Sequence, residues 1–339
     1  DAIRAKAQAG TQEPYDAVTR AAVQQMLDAS DTAPLLEAFH QDLAFGTGGM
    51  RGIMGPGTNR MNAAVVAMAT QGLADYISAH HPGDKAVAIA HDSRHDSDTF
   101  TQVAAEVLAG NGIVAHVFDS LRPTPELSFA IRQLGCQAGI VITASHNPKE
   151  YNGYKVYWGD GGQIVPPHDK GIIACVRAVE GLQAVKQSDA GDPLIKTIGP
   201  EMDRDYYATI ASHRLDDELI AEGSDLSVVY SPLHGTGTVS MAPALEACGF
   251  RNVEVLASQS DPDGAFPTVE SPNPEEASAL RMALERAEEK GADLVLATDP
   301  DSDRVGAAVR DSGGGFRLLN GNELASLLVQ YVLRTKADR

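Results

Sequence analysis

Short apolar runs and amphipathic stretches alternate through most of this chain, and the alternation predicts strands and helices in turn. Residues 86–90 are an unbroken apolar run ending in the polar loop His91-Asp92-Ser93-Arg94. A helical pattern follows from about Thr99 to Ala109, and Asn111-Gly112 supplies the left-handed cap that ends it. Residues 113–118 are a second strand. After Pro123-Thr124-Pro125 a helix runs to about Leu134, and residues 138–142 are a third strand, ending in Thr143-Ala144-Ser145-His146-Asn147-Pro148. The plan then recurs: strand 226–230, loop 231–237, helix 239–247 closed by Gly249, strand 252–256, Pro272-Asn273-Pro274-Glu275 opening a helix to about Lys290, and strand 293–297. That last strand ends in Thr298-Asp299-Pro300-Asp301-Ser302-Asp303.

Continuous apolar strands of five residues, spaced by helices, are the signature of mostly parallel sheets covered on both faces. Two units of one plan therefore predict a duplicated α/β fold of three-layer domains with mixed, mostly parallel sheets. In such sheets ligands sit beyond the carboxyl ends of the strands, where both polar loops fall. A third unit begins: Asn320-Gly321-Asn322-Glu323 precedes Leu324, Leu327, Leu328, Tyr331 and Val332, one apolar stripe on a helix. The expected boundaries are 1–214, 215–318 and 319–339. No strand for the stripe to cover precedes Arg339, and the chain starts at Asp1 rather than Met, so a segment of a longer product is expected.

Length and charge narrow the class. At 339 residues, with 43% hydrophobic and 22% charged positions, the chain has material for two domains and a fraction. A net charge of −19 argues against sequence-independent binding to nucleic acid or to anionic membrane, both of which need a basic face. It leaves room for a small phosphorylated ligand in a locally positive pocket. No apolar run reaches the roughly 18 residues of a membrane span. Three widely spaced cysteines, Cys136, Cys175 and Cys248, match no metal-ligand spacing; Cys136 and Cys248 read as buried structural thiols, and a reducing cytoplasm fits them.

Four segments carry chemistry. Ser145 stands at the tip of a buried strand beside the His146 imidazole and the Asn147 amide, placed to act as nucleophile or phosphoryl carrier. Lys155 follows Asn152-Gly153-Tyr154, a turn signal expected to fold its ammonium back toward Ser145, where it neutralises phosphate or, with a depressed pKa, shuttles a proton. Asp299, Asp301 and Asp303 present three carboxylates at alternating positions, a pattern suited to Mg²⁺. A calcium EF-hand is disfavoured, since Arg304 and Arg310 stand where its glycine and glutamate belong. Arg304 is placed to hold a phosphate bidentately. Phe45-Gly46-Thr47-Gly48-Gly49-Met50-Arg51-Gly52 lacks both dinucleotide and P-loop spacing; its backbone N–H groups and Arg51 suit an anion, and a flexible loop is the bland alternative. His234-Gly235-Thr236-Gly237 reads as a tightly packed turn rather than an anion site.

Taken in order, residues 46–52, Asp92-Ser93-Arg94, residues 143–148, Asn152-Gly153-Tyr154-Lys155 and residues 299–304 resemble the α-D-phosphohexomutase superfamily. Residues 55–62 are most similar to its phosphoglucomutase and phosphopentomutase branch. The resemblance implies that Ser145 carries a phosphoryl group and that Mg²⁺ on Asp299, Asp301 and Asp303 binds one of its oxygens. It implies interconversion of hexose 1-phosphate and hexose 6-phosphate, glucose first, through a bisphosphorylated sugar that also serves as activator. Arg304 and Lys155 would then supply positive charge, Lys155 or His146 would move the proton, and Arg51, Arg94 and Asn147 would bind substrate or phosphate. Phosphomannomutase and phosphopentomutase activities are alternatives of the same mechanism. Because the family has four domains, with sugar-selecting and substrate-phosphate loops in the third and fourth, the expectation is that residues 1–339 alone have negligible mutase turnover. Two rival readings stand beside this one: a haloacid-dehalogenase-type phosphotransferase with Asp299 as nucleophile, and a non-catalytic sugar-phosphate-binding relative.

Overall fold

The computed structural model describes residues 2–337. Three helices open the chain, α1 (Ala2–Ala9), α2 (Ala17–Asp28) and α3 (Ala33–Phe39), and close on a small core of Ala7, Val23, Leu35, Ala38 and Phe39. The sequence pattern predicts none of them, because alanine and glutamine give their faces little contrast.

The first α/β domain follows as β1 (Gly49–Ile53), α4 (Ala63–His80), β2 (Ala86–His91), α5 (Ser97–Gly110), β3 (Val114–Phe118), α6 (Thr124–Leu134), β4 (Ala138–Ile142), β5 (Tyr151–Trp158), α7 (His168–Ala178) and β6 (Ile195–Ile198). Its sheet order is β1-β5-β4-β2-β3-β6. Strands β2, β3, β4 and β6 are parallel, whereas β5 runs antiparallel to β4, and β1 to β5. Alternation within the apolar runs fills two layers. Val87, Ile89, Ile140 and Ile142 pack under Leu73 and Ile77 of α4 and Phe100 and Leu108 of α5. On the other face, Ala88, Ala90 and Val141 pack under Leu127 and Ile131 of α6. Each such aliphatic side chain, fully withdrawn from water, contributes about 1.5–3 kcal/mol.

Helices α8 (Pro200–Ser212) and α9 (Asp217–Glu222) lead to the second domain: β7 (Val228–Ser231), α10 (Gly237–Ala247), β8 (Val253–Val255), α11 (Ala257–Ser260), α12 (Ala277–Lys290), β9 (Leu294–Thr298), β10 (Val305–Arg310) and β11 (Phe316–Leu319). Its sheet order, β11-β10-β9-β7-β8, reproduces the first sheet's β1-β5-β4-β2-β3 position by position. The duplication read from sequence is thus present in space, with β4 and β9 as equivalent third strands.

One sequence expectation fails locally. Asn152, Gly153 and Tyr154 form no turn: they lie inside β5, all three paired with β1, and Tyr154 also with β4. The glycine-rich segment is a strand from Gly49 onward. Gly49 is required there, because its φ is 131° and a Cβ would collide with the Tyr154 carbonyl of β5. The His234–Gly237 turn is tightly packed as expected, with Gly235 against Pro300 and Gly237 against Tyr230. Cys136 is buried, but Cys248 only partly so, and all three thiols are free.

Helix α13 (Gly321–Ala337) ends the described chain. Asn320 and Glu323 form a reciprocal capping box, Glu323 N donating to Asn320 Oδ1 at 3.0 Å and Asn320 N to Glu323 Oε2 at 2.9 Å. Its predicted apolar stripe is largely uncovered among the described residues: Leu327, Leu328 and Val332 are 51%, 58% and 36% exposed, and Leu324 and Tyr331 are half-buried.

Candidate active site

The two polar loops meet. Ser145, three residues past the end of β4, donates its Oγ hydrogen to Asp299 Oδ2 at 2.7 Å, although 154 residues separate them. Both are buried, at 2% and 0% exposure. Each loop bends at a serine in the left-handed region, Ser145 with φ 54° and Ser302 with φ 53°. Strained non-glycine backbone of this kind persists where the surroundings over-determine it.

The Ser145 loop is held from beneath. Thr143 Oγ1 accepts the Ser145 N–H at 2.9 Å and donates to Asp92 Oδ2 at 2.6 Å. Asp92 Oδ1 accepts from Arg94 N and Ser97 Oγ, and Ser97 Oγ also receives the Asn152 amide. Arg94 then threads the loop. Its Nη1 donates to the carbonyls of Pro148 and Tyr151, both at 2.9 Å, and its Nη2 to those of Ser145 at 2.6 Å and Asn147 at 2.5 Å. With 3% exposure and four carbonyls on its terminal nitrogens, Arg94 braces the loop instead of presenting itself to an anion, contrary to the sequence expectation. The ring of Phe266, from the second domain, lies 5.1 Å from its guanidinium. Ser271 Oγ donates to the His146 carbonyl at 3.1 Å, a second tie between the domains.

The aspartate loop is organised around Asp301. Lys155 Nζ donates to Asp301 Oδ2 at 2.7 Å and Asp303 Oδ2 at 3.0 Å. The position of Lys155 follows from strand alternation: neighbouring Tyr154 enters the core, so Lys155 emerges on the opposite face, opposite Gly49 of β1. Thr124, first residue of α6, donates both its N–H to the Asp301 carbonyl and its Oγ1 to Asp301 Oδ2, each at 2.9 Å. Sequence reading gave no role to Thr124, nor to Asp92 and Thr143 within their motifs; a hydroxyl between two prolines before a helix was the available signal for the first.

Asp299, Asp301 and Asp303 each offer a carboxylate oxygen, all within 4.8 Å of one another. Asp301 Oδ1 is buried with no hydrogen-bond partner among the described residues. An all-oxygen set with an orphaned buried acceptor fits a hard divalent cation. Without a cation, burial and the neighbouring Asp301 and Asp303 push Asp299 up to about 8. Burial also opposes ionisation of Asp301, but Lys155 and hydrogen bonds, including that from Thr124, bring it below the usual carboxylate range.

The remaining cations face the opening. Arg51 donates to Asn147 Oδ1 at 3.1 Å and is otherwise exposed, and Arg304 Nε stands 4.0 Å from Asp303. His146 Nδ1 lies 3.2 Å from Ser145 Oγ; burial, then Arg304 and Arg51, lower its pKa. Burial lowers the Lys155 pKa too, but Asp301 and Asp303 outweigh it and hold the ammonium well above its ordinary value, opposite to the depression expected of a proton shuttle. A cavity of about 310 Å³ opens beside these groups, with Gly46 to Arg51, Thr143 and Lys155 in its walls.

Comparison with known proteins agrees with this geometry. Residues 42–182 match the phosphoglucomutase/phosphomannomutase alpha/beta/alpha domain I, and residues 204–314 match domain II of the same family. The chain belongs to the phosphoglucomutase/phosphomannomutase family. Among curated relatives, a probable phosphoribomutase of Schizosaccharomyces pombe is 38% identical over 94% of this chain and 55% of its own length. A phosphoglucomutase of Staphylococcus epidermidis is 37% identical over 88% of this chain and 54% of its own. The chain therefore spans about half the length of the curated relatives it matches. Of solved structures, a phosphomannomutase-type protein of Thermus thermophilus superposes with a TM-score of 0.72 at 27% identity, covering 87% of this chain and 62% of the other. A family protein of Burkholderia thailandensis, at 23% identity and a TM-score of 0.61 over 80% of this chain and 55% of the other, shares the fold. No helix among the described residues is long and apolar enough to cross a membrane.

Proposed function

We propose that this chain carries the phosphoserine and metal half of a phosphosugar mutase, with Ser145 as phosphoryl carrier and a sugar phosphate as substrate. The observation that carries the reading is the contact of Ser145 Oγ with Asp299 Oδ2, in a loop whose Asp301 keeps a buried oxygen without a partner. Mg²⁺ held by Asp299, Asp301 and Asp303 would supply Lewis-acid charge beside the serine oxygen.

The chain's own groups account for the rest. Phosphoryl transfer depends on positioning and electrostatics more than on covalent chemistry. Arg94 and Thr143 fix Ser145, and Lys155, held as the ammonium and so without a lone pair to accept a proton, keeps the carboxylates together. Arg304 and Arg51 stand free to bind phosphate oxygens, with Asn147 orienting Arg51. His146, with its lowered pKa, is neutral near pH 7; it takes the proton from the sugar hydroxyl as the new O–P bond forms, and returns it to the leaving Ser145 Oγ, 3.2 Å from its Nδ1, as the Ser145 O–P bond breaks. A bisphosphorylated sugar is the product of that step and, in reverse, the activator that loads Ser145.

Glucose 1-phosphate and glucose 6-phosphate are the first substrates to try, and the name of the S. pombe relative makes pentose phosphates the second. Incubation with labelled glucose 1,6-bisphosphate and Mg²⁺, followed by phosphopeptide mapping, tests the reading. Acid-stable phosphate on Ser145, lost in Ser145→Ala, is the expected result. An acyl phosphate on Asp299 sinks it in favour of the dehalogenase-type mechanism.

A further inference from the structure

A second buried cluster of ionisable groups lies behind the aspartate loop, where the segment after β3 enters α6. Arg122 is its hub. The guanidinium donates Nε to Asp203 Oδ1 at 2.8 Å and Nη2 to Asp203 Oδ2 at 2.9 Å, a two-pronged grip on α8. Nη2 also reaches Asp119 Oδ1 at 3.0 Å, and Nη1 reaches Ser120 Oγ at 2.6 Å and the Leu121 carbonyl at 3.0 Å. The segment 119–124 is thereby wrapped around one side chain, and its last residue is Thr124, which holds Asp301 by two hydrogen bonds.

Glu126, in the first turn of α6, has no share of that cation. It is 0% exposed, its carboxyl oxygens meet no N–H or hydroxyl donor among the described residues, and the group set against them is the Asp203 carboxyl, to which only a protonated Glu126 can donate. The groups facing it are Arg122 and Asp119 from the preceding segment and Asp203, Tyr206 and Tyr207 from α8. The strands beneath α6 present Ala88, Ala90 and Val141. One guanidinium thus stands among three carboxyl groups and is already committed to two of them. A buried carboxylate with no partner is strongly disfavoured, so the arrangement accommodates Glu126 as the uncharged acid.

We propose that Glu126 is a positioning residue that works as a neutral acid: by adding no charge beside Asp203 it leaves the Arg122 clamp intact, and so sets the grip of Thr124 on Asp301. The proposal rests on the reading of the aspartate loop as a divalent-cation site. Ionisation of Glu126 would set a second negative charge against Asp203, draw Arg122 from its present partners and loosen the segment that ends in Thr124. Burial, then Asp203, push the Glu126 carboxyl up to about 9, so the change falls in the mildly alkaline range. Tyr206, raised by burial to about 12, and Tyr207, raised further, stay neutral there.

The test is the affinity of the full 339-residue chain for Mg²⁺ by titration calorimetry, from about pH 8 to about pH 10, in wild type and Glu126→Gln. Wild type is expected to lose affinity about fivefold or more across the upper part of that range, the lower end of ordinary couplings between sites. Glu126→Gln, which cannot ionise, is expected to match wild type near pH 8 and to show no alkaline fall; ionisation of metal-free Asp299, pushed up to about 8, raises affinity at the low end of the range in both chains. An alkaline fall of the same size in Glu126→Gln, or no fall in wild type, overturns the proposal. If the variant does not fold, carboxyl-carbon NMR of wild type decides: a Glu126 resonance titrating in the ordinary carboxylate range overturns it, and one titrating near 9 supports it. A chain that binds no Mg²⁺ at any pH overturns instead the cation reading, while the NMR titration still reports the charge state of Glu126.

Discussion

Replacing Arg94 with methionine separates a loop brace from a phosphate ligand. The change keeps an apolar stem beside Phe266 but removes four hydrogen bonds to the carbonyls of Ser145, Asn147, Pro148 and Tyr151. It also strips buried Asp92 of the cation 3.3 Å away. Bonds to a charged group contribute about 1.5–3 kcal/mol each, and they do not add, because a released loop relaxes and admits water. Removing one partner of a buried ion pair costs about 3–5 kcal/mol, which is the expected loss of stability here. For a domain of this size each kcal/mol lowers the melting temperature by about 2–4 °C, so a fall of about 6–20 °C is expected. Arg94→Lys should recover little, since one ammonium cannot reach four carbonyls in the guanidinium's geometry. Urea denaturation and thermal melting measure the loss, with Ser145 labelling measured in parallel. A change below about 0.5 kcal/mol, the range of ordinary surface substitutions, combined with lost labelling, would show that Arg94 is a ligand group and refute the reasoning.

Three further outcomes are expected. Without metal, the raised Asp299 pKa means the folded chain holds a proton that the unfolded chain releases earlier, so its contribution is present below the unfolded value and lost as pH rises toward about 8. Thermal melting in chelator should therefore fall from weakly acidic pH to about pH 8, and Mg²⁺ should reduce that slope; a slope unaffected by Mg²⁺ counts against the cation site. Gly49→Ala places a methyl on the Tyr154 carbonyl at a φ of 131° and should cost at least about 1–3 kcal/mol by urea denaturation. Leu328→Lys on the uncovered face of α13 should leave the stability of the 339-residue chain within about 0.5 kcal/mol while raising its solubility; a large loss would mean that the face is packed.

The parallel strands were legible because burial on both faces leaves short unbroken apolar runs, as at 86–90 and 138–142. β5 was not, because its Asn152-Gly153 dipeptide carries a turn signal that pairing with β1 overrides, β4 joining from Tyr154 onward. The site residues divide in the same way. Ser145 and the three aspartates stand in sequence as polar tips on apolar strands, and the structure brings them together. The bracing role of Arg94 was illegible, since an arginine beside a serine loop has the same spelling whether its donors meet phosphate or carbonyls. Thr124 was hidden for a related reason: its partner lies 177 residues away.

That distance has a consequence for how the protein holds together. Ser145, Lys155 and Thr124 belong to one sheet domain and Asp299, Asp301 and Asp303 to the other, so the three carboxylates are braced and set beside Ser145 only while the two are docked. Ion binding and docking are then one linked equilibrium. A cation at a hundred times its dissociation constant adds about 2.7 kcal/mol to the docked form. The segment between α9 and β7 becomes a reporter of that linkage: it should resist proteolysis in Mg²⁺ and yield in chelator, so that the proposed ion also strengthens the joint between the halves.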